Sequence, residues 1–125
     1  MPRFTTIAAL TLGVVCGAAG RAGAAELDGE VLFNTHCRNC HSSAKDDHRL
    51  GPSLHGIIDK QAGTAAGFAA YSGSLKGFAW APSTLDKFMA SPTSVAPNTS
   101  MIYPPVADPG QRAAIIDFVK KKSAE

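Results

Sequence analysis

Apolar residues fall along this chain in four groups of different period, and the residues between them mark where each begins and ends. The first is a nearly unbroken run, "IAALTLGVVCGAA", lying four residues behind Arg3. The second, Val31, Leu32 and Phe33, follows Asp28, which can cap a helix with Glu30 in its first turn. The third is the i, i+3, i+4 set Leu85, Phe88 and Met89 inside "PSTLDKFMASP", where Ser83 and Asp86 have capping-box spacing and Pro92 is the stop. The fourth, Ile115, Phe118 and Val119, is opened by Asp108 as N-cap and Pro109 at the first helical position. Lys120, Lys121 and Lys122 close it, at the negative pole of the helix dipole. Between these groups, Ser42 to Gly67 and Thr93 to Pro109 are rich in Gly, Pro, Ser, Asp and Asn without a sustained period, which predicts ordered loops. A long ordered loop needs something to wrap. With no two-residue alternation and no internal repeat, the expected class is all-α.

The first group is not part of the core. A basic residue, an apolar run and the small-x-small sequence Ala22-Gly23-Ala24 form the pattern of a secretory signal peptide. The run is interrupted by Gly13 and Gly17, followed by Gly20, and falls short of the ~20 apolar residues a spanning helix needs, so a retained membrane anchor fits less well. Residues 1–25 are therefore expected to be a cleaved leader and 26–125 a single domain. Cys16 leaves with the leader.

Cleavage changes the chemistry that remains. The cysteines reduce to Cys37 and Cys40, in an exported chain whose compartment oxidises unprotected thiols. Twelve Lys and Arg, less Arg3 and Arg21, leave ten basic residues against ten acidic ones, so the mature polypeptide is formally neutral. That points away from nucleic acid and from anionic membranes as partners.

The stretch "NTHCRNCHSSAK" sets two cysteines three apart with a histidine directly behind. A structural zinc site asks for about four Cys or His ligands, usually two such pairs, and no second pair exists; His36, His48 and His55 stand at no finger spacing. A thioredoxin-like redox pair asks for a βαβ setting that the periodicity does not give. Cys-x-x-Cys-His is also the pattern of covalent haem attachment. Residues i and i+3 share one side of a helical turn, so both sulfurs can reach the two vinyl groups of a haem while His41 comes under the iron. Covalent attachment suits export, and a haem would supply the core that a loop-rich chain lacks.

Further matches run in order along the chain: Gly29 and Phe33, Cys37-Arg38-Asn39-Cys40-His41, "GPSLHG" at Gly51 to Gly56, "AGFAAYS" at Ala66 to Ser72, Trp80, "PNTSM" at Pro97 to Met101, and Phe118. In this ordered set the chain resembles the class I cytochrome c family from about Asp28 to Lys122. The resemblance implies the small all-α fold of that family, with the N- and C-terminal helices crossing and further short helices and long loops wrapped around one covalent haem c. It implies thioether attachment at Cys37 and Cys40 and axial ligation by His41 and a methionine. Met89 sits on an apolar helical stripe, where methionine usually fills core. Met101 lies in a Pro-rich loop and matches the family motif, so it is expected as the second ligand. By the same resemblance Pro52 orients the axial histidine, through the preceding carbonyl or its own ring, Tyr71 and Trp80 donate to a haem propionate, and Lys60 and Thr99 belong to the haem environment. Gly29 is the close point of the helix crossing, opposite Phe118. Two departures stand out: Phe88 replaces a tyrosine whose hydroxyl approaches the axial sulfur in many relatives, and Asn98 replaces the glycine before Thr99.

An iron closed on both sides offers no position to substrate, so the expected function is one-electron carriage and not enzyme catalysis. The protein is expected to be a monomeric periplasmic shuttle between a respiratory complex or dehydrogenase and an oxidase or reductase. The alternatives are an open-site peroxidase-like or gas-binding haem protein, should Met101 not ligate, and a dedicated cytochrome subunit of one dehydrogenase.

Overall fold

Asp28 opens the first helix, its carboxylate accepting from the backbone N–H of Glu30 at 2.9 Å and of Val31 at 3.2 Å. This satisfies two of the donors that a helix start leaves without partners. The structure, a computed structural model, describes residues 1–2 and 26–125. The expected leader, Cys16 included, rests on 3–25 and lies outside the described residues. Helix α1 runs Gly29–His36 and buries Phe33, which is 2% exposed, while Leu32 is half-buried. Val31, expected on the same apolar surface, is 58% exposed. It precedes Phe33 by two residues, which on a helix of 3.6 residues per turn sets it about 200° away.

Two helices follow the long central loop. Helix α2, Pro82–Ala90, buries Leu85, Phe88 and Met89 as the stripe predicts. The expected capping box does not form. The helix begins at Pro82 with Ala81 as N-cap, so Ser83 falls within the first turn, and Asp86 instead accepts from Arg112 Nε at 2.7 Å. Pro92 stops α2 and also starts α3, Pro92–Val95, a single turn where only loop was expected. Proline fits both roles, because a helix's first position leaves its N–H unused anyway.

Helix α4, Pro109–Ser123, is capped by Asp108, which accepts from Gln111 N–H at 2.8 Å. It buries Ile115 and Val119 as expected, and Ile116 besides. It crosses α1 and packs on α2. At the first crossing the Phe33 and Phe118 rings lie 5.2 Å apart, and a Cβ added to Gly29 would press on the Ala114 carbonyl and lie 2.9 Å from Phe118 Cβ. Arg112 joins α4 to its surroundings from a side chain only 12% exposed: beyond Asp86, it donates to the Val106 and Ala107 carbonyls at 2.9 Å each.

No strand occurs among the described residues; there is one isolated antiparallel bridge, Gln61 with Ala79. Backbone bonds from Trp80 N–H to Lys60 O at 2.8 Å and from Ala62 N–H to Phe78 O at 3.0 Å draw residues 60–62 and 78–80 together. The loops are ordered by their own polar groups. His48 is the clearest case: its Nδ1 accepts from Ser53 N–H at 3.0 Å and its Nε2–H donates to Ala66 O at 2.8 Å, tying two distant parts of the same long loop through one imidazole.

Candidate functional site

The C-terminal end of α1 runs directly into the cysteine turn. Cys37 N–H still bonds to Phe33 O at 2.8 Å, and the N–H groups of Cys40 and His41 both return to Cys37 O, at 3.1 and 2.9 Å. Cys37, Cys40 and His41 are thereby held on one tight turn, and the two cysteines are not joined to each other. Burial pushes the Cys37 thiol up to about 11. A thiolate is disfavoured there, whereas a thioether, which has no charge to desolvate, suits the same position.

His41 is fixed from the other side. Its Nδ1–H donates to the Pro52 carbonyl at 2.8 Å, which sets the tautomer and leaves the Nε2 lone pair as the ring's free donor atom. It is Pro52's own carbonyl, and not that of the preceding residue, that makes this bond. Burial lowers the His41 pKa and the Pro52 bond opposes it, with burial the larger effect, so the ring is neutral at pH 7. Gly51 lies against the imidazole so closely that a Cβ there would overlap it, which accounts for glycine at this step. Gly51 N–H also bonds to Cys40 O at 2.8 Å, so "GPSLHG" and the cysteine turn form one unit.

Met101 is half-buried and packs against the apolar core. Its N–H donates to Thr99 Oγ1 at 3.2 Å, so Thr99 shapes the turn that carries it. Asn98 stands at φ +62°, the left-handed region a glycine would favour, which asparagine enters more readily than most residues. Met89, the competing thioether, lies 9% exposed on α2, in the core.

The remaining expected residues differ in setting. Tyr71 Oη accepts from Ala65 N–H at 2.9 Å, which leaves its own O–H available to a further acceptor. Trp80 is 8% exposed between Phe78 and Phe88, ring centroids 5.1 and 5.0 Å away. Phe88 is thus a wall of the indole and brings no hydroxyl for a sulfur. Lys60 is exposed, and its backbone, through the bond to Trp80, is the part that is fixed.

These residues fit a haem. Two unjoined cysteines stand on one turn, beside an imidazole with one nitrogen tied down and the other free. Leu54, Ile57, Ile58, Leu75 and Phe78, all from irregular segments, pack on the core yet remain only half-buried, which suits an apolar planar group among them.

Sequence reasoning missed His48 and the pairing of Ser72 with Ser100, whose hydroxyl oxygens lie 2.7 Å apart. Both serines sit inside quoted motifs, but a contact across 28 positions has no local signature.

Comparison with known proteins agrees with the geometry. The family model described as Cytochrome c matches residues 27–123. The chain is 34% identical over 99 residues to cytochrome c of Ginkgo biloba, covering 78% of this chain and 88% of that one. It is 35% identical over 95 residues to cytochrome c2 of Rhodopila globiformis, covering 75% and 90%. Among solved structures it resembles cytochrome cH from Methylobacterium extorquens, with a TM-score of 0.67 and 34% identity over 74% of this chain and 94% of that one.

Proposed function

Because this chain belongs to the cytochrome c family of electron carriers, whose members carry one covalently bound haem c, we propose that it is an exported one-electron shuttle with iron held between His41 and Met101. Cys37 and Cys40 are present for attachment. The observation that carries the axial reading is the bond from His41 Nδ1–H to Pro52 O at 2.8 Å, which orients Nε2 as a ligand directly behind the attachment turn. A haem so bound supplies reversible one-electron chemistry. This chain's residues attach it, exclude water from it and set its potential, with Met101 favouring the reduced iron. By the family resemblance, Tyr71 and Trp80 would offer their polar hydrogens to its propionates, and Lys60 would lie near them. With both axial positions filled by side chains, no substrate is converted.

The leader pattern supports export to the periplasm, and no helix among the described residues is long and apolar enough to cross a membrane. Donor and acceptor are then a respiratory complex or periplasmic dehydrogenase on one side and an oxidase or reductase on the other.

The ferric absorption spectrum of the exported holoprotein tests the reading. The weak long-wavelength band of sulfur bonded to ferric haem is the expected result. A high-spin spectrum without it overturns Met101 ligation and favours an open-site haem protein.

Docking is expected to be apolar. Beside Met101, Ile102 is 94% exposed, Pro104 is exposed, and no lysine or arginine lies between Met101 and Asp108. Electron exchange with a purified oxidase should therefore change less than about threefold between low salt and 0.15 M, because screening acts on charge pairs. A steep fall contradicts an apolar contact.

A further inference from the structure

The turn that carries Met101 is anchored by a second loop. Ser100 N–H donates to Ser72 Oγ at 2.8 Å, the two hydroxyl oxygens lie 2.7 Å apart, and Ser74 N–H donates to Pro97 O at 2.9 Å. Between the two serines of that second loop lies Gly73, at φ +77°. A Cβ there would lie 2.8 Å from Thr99 N and 2.9 Å from both Pro97 O and Thr99 Cα, closer than real Cβ atoms approach such neighbours. The two backbones therefore touch, and only glycine allows it. Met101 N–H to Thr99 Oγ1 at 3.2 Å sets the shape of the Met101 turn, and Thr99 N–H to Ala96 O at 3.2 Å ties its near end to the buried C-cap of α3, leaving Ser100 and Met101 to be held from the second loop. Downstream, Tyr103 Oη reaches Thr35 O only at 3.4 Å.

We propose that Ser72 and Gly73 are positioning residues for Met101, holding residues 97–101 in the form that presents the thioether and so setting how often that turn opens. The proposal rests on Met101 being the axial ligand. Irregular segments held by few bonds open locally at free energies well below that of global unfolding, so anchoring bonds control opening without controlling the fold. The serine pair is partly exposed and each of its bonds is modest, whereas Gly73 combines a positive φ with a backbone contact. Substitution at Gly73 is accordingly the more severe.

The test is the binding of imidazole to the ferric holoprotein, which requires the turn to open and the sulfur to leave. S72A should bind imidazole about three- to tenfold more tightly than the wild type. The thermal midpoint and the hydrogen-exchange protection of α1 and α4 should stay unchanged. S72T, which keeps the hydroxyl, should restore the wild-type affinity, and G73A should exceed S72A. Unchanged imidazole affinity in S72A overturns the proposal, as does a gain matched by an equal loss of global stability. A wild type that lacks the sulfur band has lost the ligand assignment itself, a failure visible before any variant is made.

Discussion

Met101→Ala removes the sulfur band of the ferric holoprotein and lowers its reduction potential by on the order of 0.2 V, because a thioether ligand favours ferrous iron and its loss favours ferric. Met89→Ala, made in parallel, leaves both the band and the potential near wild type and instead lowers stability by about 2–5 kcal/mol. The contrast follows from setting. Met89 is 9% exposed on the buried stripe of α2, so its removal opens a cavity among Leu85 and Phe88. Met101 comes from an irregular turn, its N–H bonded to Thr99 Oγ1, and is only half-buried at the edge of the core, so its removal costs less packing. Difference spectra and equilibrium redox titration read the first effect, and denaturant unfolding reads the second. If Met89→Ala abolishes the band and Met101→Ala does not, the axial assignment is reversed.

What the sequence made legible were features whose causes are local. Asp28 and Asp108 cap the helices they precede because a cap needs only a carboxylate and the next few N–H groups. Leu85, Phe88 and Met89 are buried together because helical period alone puts them on one face. The attachment turn was legible for the same reason, its spacing being its geometry. Where a distant partner decided the outcome, the sequence was silent or misleading. Ser83 and Asp86 had capping-box spacing, but the helix starts at Pro82, which puts Ser83 inside its first turn, and Arg112, 26 residues on, took the Asp86 carboxylate. Pro92 was legible as a stop but not as the start of α3. Pro52 was expected near the axial histidine by resemblance, yet which carbonyl makes the bond depends on how the loop is folded. His48 ties one long loop to itself and Ser72 bridges two loops, through side chains that have no periodic pattern to betray them.

Gly29→Val lowers the thermal midpoint of the holoprotein by about 8–16 °C while haem attachment remains complete by mass spectrometry. The substitution limits the unfolded chain and so gains about 0.4–1 kcal/mol. Overpacking opposes this, typically at 1–3 kcal/mol. Here the upper end applies, because the new Cβ meets the Ala114 carbonyl, a backbone group of α4 that cannot rotate away, as well as Phe118 Cβ at 2.9 Å. The net loss is about 2 kcal/mol, and each kcal/mol moves the midpoint of a domain this size by roughly 4–8 °C. Gly29→Ala is expected to lose much of the same stability, since the Cβ alone makes the contact. Attachment survives because Cys37, Cys40 and His41 are held by their own turn and by Gly51 and Pro52, which do not depend on how closely α1 approaches α4. Separating α1 from α4 also parts Phe33 from Phe118, so near-ultraviolet signals of the aromatic pair should weaken along with stability. A midpoint unchanged in both variants would mean that α1 can seat on α4 without the close crossing.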